Sequence, residues 1–171
     1  MKKIIVNKRK LKNHQINDVV RRVKVLLINS KKEITLGYSY NEYQFLGGHV
    51  EEREDLLQAV HRELIEEAGL DLDVTGLEPF LFYAGYYNDY PLDGMNSKII
   101  IYYYIIYTDE EGHMDDTMRT KYEKNGNFEL RKFSLKNVAK EIKANAKEYG
   151  DDNNIAKEML LVLKTYKELF E

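Results

Sequence analysis

Apolar residues recur at every second position through Val23, Val25 and Leu27, inside a β-rich run over residues 19–28. That is the period of a strand with one buried face. Asn29-Ser30-Lys31-Lys32 then reads as a turn, and residues 34–38 and 43–46 as short strands. The period changes to that of a helix over residues 55–68. Val74 begins a short strand, and residues 80–87 and 98–108 form two stronger ones, separated by the turn-rich Asn88-Asp89-Tyr90-Pro91-Leu92-Asp93-Gly94. Residues 109–127 are polar and read as a loop, with a last strand at 128–133. Ser134 reads as the N-cap of a helix to about residue 146. A second helix covers 152–170, with Ile155, Met159, Val162, Leu163, Tyr166 and Phe170 on one face. There is no repeat and no Pro-rich linker. This order predicts one α/β domain over residues 1–171, a mixed sheet between helices, with an N-terminal strand extension and a C-terminal helix.

The helix at 55–68 carries the chemistry. At about 100° per residue, Glu63, Glu66 and Glu67 share one face, while Leu57, Val60, Leu64 and Ala68 form a separate apolar stripe. One side is thus free to pack on a core while the other presents three carboxylates. Their mutual repulsion is only about 0.2–0.5 kcal/mol per pair, so it does not by itself demand a metal. Taken alone, RELIEEAGL is an ordinary solvated acidic face. Gly48, Glu54 and Arg62 at fixed distances from it change that reading. Hard oxygen donors suit Mg²⁺ or Mn²⁺, and Mg²⁺ shares its remaining positions with waters and substrate phosphates. Arg62 lies beside the acidic face, where it can orient Glu54 or a neighbouring carboxylate. Gly47 and Gly48 permit the backbone conformations of a tight turn into the helix, and Gly69 sits where a helix-ending glycine belongs.

Residues 48–70 fit the pattern G-x5-E-x7-R-E-U-x-E-E-x-G-U, with U aliphatic, at every specified position. In this the chain resembles the Nudix hydrolases. The resemblance implies a Nudix-like α/β/α sandwich and metal ligation by Glu63, Glu66 and Glu67. It implies catalytic roles for Glu54, Arg62 and Glu66, and loop shaping by Gly47 and Gly48. It also implies Mg²⁺- or Mn²⁺-dependent pyrophosphohydrolysis of a nucleoside diphosphate linked to another group. Leu46 stands where many relatives have Pro, and Arg53 where many have Gly. Neither is a ligand position.

Composition narrows the setting. Hydrophobic content of 43% and charged content of 32% are those of a soluble globular chain, and a net charge of −3 makes no case for specific nucleic-acid binding. The start is locally basic, through Lys2, Lys3, Lys8, Arg9, Lys10 and Lys12, as in a solvated strand and turn. The absence of cysteine excludes disulfides, a thiol nucleophile and thiolate-bound zinc. The start lacks an apolar signal region, and the most apolar run, 99–107, is about half of a membrane span. A cytoplasmic protein is expected, with a small nucleotide as partner, no membrane, and a homodimer left open.

Fourteen tyrosines invite a search for stacking platforms. Tyr102–Tyr104 lie in an apolar strand and read as core or sheet face. Tyr86, Tyr87 and Tyr90 flank a turn and are candidates for stacking on a nucleobase. Among relatives, a Tyr at about the distance of Tyr86 from the motif goes with dinucleoside polyphosphate hydrolysis, which, with modified nucleoside triphosphates, heads the expected substrates. His49 lies in the loop of the motif, and His113 among Glu110, Glu111, Asp115 and Asp116. The base that activates water is a glutamate of the motif or a loop acid such as Glu111 or Glu123. The alternative is a catalytically silent domain, sensing a nucleotide or binding a protein. Retention of every glutamate of the motif argues against it.

Overall fold

The computed structural model describes residues 1–113, 127–151 and 154–171. Its strands are β1 (Lys2–Val6), β2 (Asp18–Ile28), β3 (Glu33–Ser39), β4 (Glu42–Gln44), β5 (Leu81–Tyr87), β6 (Ser97–Tyr107) and β7 (Glu129–Ser134). Among the described residues the α-helices are α1 (Leu56–Ala68), α2 (Val138–Tyr149) and α3 (Ile155–Phe170), and a 3-10 turn covers Asn13–Gln15. The strands form one mixed sheet in the order β1-β5-β6-β2-β3-β4, with β7 on β3. At its centre β2 and β6 run parallel from Asp18↔Ser97 to Ile28↔Tyr107.

Alternation along β2 divides the core. Val23, Val25 and Leu27 pack with Val60, Leu64 and Ala68 of α1. Leu26 and Ile28, on the opposite face, pack with Ile142 of α2 and Met159 and Val162 of α3. The sheet therefore lies between α1 and the α2–α3 pair, as the sandwich expectation requires. Both faces are covered over the second half of β2, whereas Val19 and Arg21 in its first half are exposed.

The first half of β2 parts from β3. β3 bonds only the end of β2, at Leu27↔Thr35 and Ile28↔Ile34. Further upstream, bridges Val25↔Leu46 and Arg22↔His49 bring the loop before α1 onto β2. That divergence opens the sheet beside the glutamate-bearing helix.

Some expected elements shift. No strand forms at Val74, and Leu77 N–H instead closes a turn on the Val74 carbonyl at 3.1 Å. Ser134 is not a cap, because β7 runs through it against Glu33 and α2 starts after Asn137. The sheet's hydrogen bonds take the backbone that a helix would have used. Residues 114–126, which include Asp115, Asp116 and Glu123, lie outside the described residues, as does Asp152, the expected start of the last helix. Among the described residues, no helix is long and apolar enough to cross a membrane.

Candidate active site

Helix α1 is fixed at both ends by its own sequence. Asp55 accepts from the N–H groups of Leu57 and Gln58, both at 2.9 Å, and Gln58 Oε1 accepts from Asp55 N–H at 2.9 Å. This reciprocal cap satisfies donors that would otherwise be orphaned, and such caps are worth about 1 kcal/mol. At the other end Gly69 takes φ 65°, and its N–H reaches the Ile65 carbonyl at 2.9 Å while Leu70 N–H reaches Leu64 at 3.1 Å. A left-handed residue is needed there, which is why glycine stands at that position.

Between these ends, Arg62 is a hub. Its Nε and Nη2 donate to the two oxygens of Glu54 at 2.9 and 3.0 Å. Its Nη1 donates to Glu63 at 2.9 Å and to Glu66 at 3.0 Å, and Nη2 also reaches the His49 carbonyl at 2.8 Å. One planar cation thus orients three carboxylates and ties the loop to the helix. The bond from Arg62 holds the Glu54 carboxyl below its ordinary range. Glu63 moves the other way, because its burial outweighs the pull of Arg62.

Glu67 is held from the loop side, where Gly47 N–H donates to its Oε2 at 2.6 Å. Glu63 and Glu67 are both buried, not spread over a solvated face. Gly47 takes φ 118°, and a Cβ there would lie 3.1 Å from Lys24 Cα. The loop can approach β2 this closely only as glycine. The departures from the common motif are accommodated locally. Leu46 is fully buried against α1, and Arg53 adopts a left-handed φ of 68° where glycine would be relaxed.

Gly47, Gly48, Arg62, Glu63, Glu66 and Glu67 line an open cleft of about 650 Å³ that extends from α1 across β2 to the first turn of α3, whereas Glu54 stands behind Arg62 and does not line it. Tyr87 and Tyr90 line it too, with ring centroids 5.4 Å apart. The Tyr87 ring folds over Gly85, where a Cβ would sit 3.0 Å from its Cζ. Tyr86 is not part of the cleft; its ring lies under the Lys98 ammonium at 5.2 Å. His49 lines the cleft, and burial followed by the nearby Arg22, Lys24 and Arg62 charges pushes its imidazole toward the neutral form. Glu111 does not reach the cleft, being held by Lys132 at 2.6 Å. His113 N–H bonds the Ala68 carbonyl at the end of α1, at 2.8 Å.

Five charged residues of the cleft were not anticipated from sequence: Arg22, Lys24, Glu42, Glu51 and Glu158. Lys24 Nζ donates to the Phe45 carbonyl at 2.9 Å and to the Gly47 carbonyl, clamping the loop that feeds α1. Burial pushes its ammonium toward the neutral form, and Glu67 and Glu63 oppose that. Glu158 projects from α3 and accepts from Tyr103 Oη–H at 2.5 Å. The signals were present: Arg22 and Lys24 alternate with core valines on a strand of apolar neighbours, and Glu158 interrupts the apolar stripe of α3.

The donor set fits a divalent cation in kind. Glu63, Glu66 and Glu67 supply hard oxygens around one wall of a cleft. Among the described residues, no three His, Asp or Glu side chains converge into a ready cage. Mg²⁺ does not require one, since it keeps waters and takes substrate phosphate oxygens as ligands.

A model of the NUDIX domain matches residues 18–151. Comparison with curated protein sequences finds no match. Among solved structures, the E. coli ORF135 protein is 17% identical with a TM-score of 0.58, covering 93% of this chain and 95% of that one. A C. elegans Ap4A hydrolase is 17% identical with a TM-score of 0.55, covering 90% and 99%. The MutT protein of Bacillus halodurans is 17% identical with a TM-score of 0.54, covering 71% and 72%. At such identity the likeness speaks for the fold, while the domain match spans most of the chain and includes the whole glutamate motif. The chain belongs to the Nudix family, whose enzymes are hydrolases acting on acid anhydrides.

Proposed function

We propose that this protein is a divalent-metal-dependent nucleotide pyrophosphohydrolase, with a dinucleoside polyphosphate or a modified nucleoside triphosphate as substrate. The observation that carries this reading is the arrangement on α1. Arg62 fixes Glu54, Glu63 and Glu66, while Gly47 N–H fixes Glu67, and Arg62 and the three glutamates of α1 line a cleft large enough for a nucleotide. The similarity to an Ap4A hydrolase and a MutT protein is consistent with it.

Glu63, Glu66 and Glu67 hold Mg²⁺ or Mn²⁺ in this reading. A cation held there would supply positive charge for the phosphate oxygens and the leaving group. The remaining work falls to the chain. Arg62 and Glu54 keep the glutamates in place, so little reorganisation is needed when charge develops. Glu66, half-buried and held by a single Arg62 bond, takes the proton of the attacking water. Tyr87 and Tyr90, with rings inclined at 40° to one another, offer ring faces for a base.

Release of phosphate-containing products from a panel of dinucleoside polyphosphates and nucleoside triphosphates, with Mg²⁺ or Mn²⁺ and with EDTA, tests the proposal. Turnover abolished by EDTA and restored by the cation is the expected result. No turnover on any member of the panel, by a folded protein, would count against it.

A further inference from the structure

The cleft also holds two unused hydrogen-bonding groups of opposite kind. Arg22 Nε is buried and has no hydrogen-bond partner. The nearest bond of its guanidinium is a long one, Nη2 to His49 Nε2 at 3.4 Å. An orphaned charged donor inside a protein is costly, and so calls for an explanation. Glu158 is the complementary case. Its Oε1 accepts from Tyr103 Oη–H, and among the described residues Oε2 has no hydrogen bond. Arg22 and Glu158 both line the cleft, and Glu158 feels the charge of Arg22, while their hydrogen bonds go to His49 and Tyr103 instead of to each other. Tyr87 and Tyr90 line the same cleft, and Tyr87 feels the charges of Glu158 and Arg22.

We propose that Arg22 and Glu158 read the edge of a guanine base stacked against the Tyr87–Tyr90 pair. This rests on the reading of the cleft as a nucleotide site. Guanine carries acceptors at O6 and N7 and donors at N1–H and the N2 amino group. An arginine fork matches the first pair, and a carboxylate accepts from the second. Adenine offers one amino donor flanked by ring-nitrogen lone pairs, so a carboxylate placed for guanine would meet a lone pair where it needs an N–H. Pyrimidine rings are smaller and leave one of the two groups unmet. Stacking on tyrosine accepts every base and supplies affinity without choice. The choice therefore lies with Arg22 and Glu158.

The test uses nucleotides without an anhydride bond, so that binding is read without turnover. GMP, IMP and AMP are titrated into the intact protein with Mg²⁺ by calorimetry. GMP should bind about tenfold or more tightly than AMP, with IMP, which lacks the N2 amino group, between them. Glu158→Gln keeps an acceptor for Tyr103 but turns one oxygen into a donor, and should bring the GMP-to-AMP ratio to about threefold or less. Arg22→Gln should weaken GMP and IMP more than AMP. Equal binding of GMP and AMP by the wild-type protein overturns the proposal, as does an unchanged ratio in Glu158→Gln or failure of all three nucleotides to bind. Metal-dependent hydrolysis of adenine and guanine nucleotides at equal kcat/KM would also overturn it while leaving the pyrophosphohydrolase reading intact. Lack of hydrolysis alongside guanine-selective binding would do the reverse.

Discussion

The carboxylate of Glu63 fills the space that a side chain at Gly48 would need. A Cβ at position 48 would lie 2.8 Å from Glu63 Cδ and 2.9 Å from its Oε2. The glycine that starts the motif and the glutamate fifteen residues later are thus two halves of one contact. Gly48→Ala must push the carboxylate away from Arg62 or shift the loop off β2, where Gly48 carbonyl accepts from Val23 N–H at 3.0 Å. We expect stability to fall by about 1–3 kcal/mol, as for overpacking elsewhere. Metal affinity should fall as well. Denaturant unfolding and calorimetric metal titration check the two effects, and a variant equal to wild type in both would show that Glu63 moves freely.

Arg53 gives the opposite case, a position where the chain departs from its relatives at a cost. Its left-handed φ of 68° is unfavourable for a residue with a Cβ, by about 1–2 kcal/mol. Glycine removes that strain but gives back roughly 0.5–1 kcal/mol through the entropy of the unfolded chain. Arg53→Gly is therefore expected to raise stability by up to about 1 kcal/mol, or roughly 2–4 °C in Tm for a domain of this size. Thermal unfolding measures it. A drop in Tm would mean that the Arg53 side chain contributes contacts beyond its backbone.

Much of this architecture was legible in the sequence because it depends on local patterns. Period-two alternation gave β2, helical spacing gave α1 and α3, and Gly69 marked the end of α1. The acidic motif itself was legible because its parts lie within one loop and one helix. What escaped depends on contacts distant in sequence. Arg22, Lys24 and Glu158 come together only when β2, the loop before α1 and the first turn of α3 are assembled. Ser134 misled because a side chain suited to a cap was already committed to β7 by its partner Glu33. Tyr86 and Tyr87 are adjacent in sequence, but strand alternation sends them to opposite faces, and only Tyr87 reaches the cleft with Tyr90.

That placement sharpens the stacking expectation. Tyr87→Ala should raise KM by about 5- to 100-fold, the range that base stacking on an aromatic ring supports, with kcat little changed. Tyr86→Ala should leave both near wild type, since its ring serves Lys98 instead. Steady-state kinetics on a hydrolysed nucleotide separates the two. Equal effects of both substitutions would assign the tyrosines a structural role.

Glu158 carries a pH signature. Burial raises its carboxyl above the ordinary value of 4.5, more than the Tyr103 bond lowers it. A carboxyl raised in the folded state weakens folding when ionised. The penalty is present in full above the folded pKa and disappears as pH falls to the unfolded value. Glu158→Gln avoids it and keeps an acceptor for Tyr103. The variant should therefore be more stable than wild type at neutral pH, with the difference shrinking as pH falls toward 4.5. Denaturant midpoints across that window check the sign, and a difference that grows toward acid pH would contradict it.

Glu67 gives the most direct test of the site. Its carboxylate is buried and anchored by Gly47 N–H at 2.6 Å. Glu67→Gln preserves that anchor, because the amide oxygen still accepts, and it preserves the helix, because Gln and Glu have similar propensities. What it removes is one negative charge from the proposed donor set of the cation. Loss of one such electrostatic group commonly costs about 10²–10³ in kcat. The rise in Tm that wild type should show with millimolar Mg²⁺ or Mn²⁺ should shrink in the variant, because stabilisation by a ligand follows its affinity for the folded state. Unfolding in EDTA should stay equal to wild type or rise slightly, since repulsion among neighbouring carboxylates is relieved. Hydrolysis assays and thermal unfolding with and without metal read the three effects together. A folded Glu67→Gln protein that turns over substrate at the wild-type rate, with an undiminished response to metal, would remove Glu67 from the site.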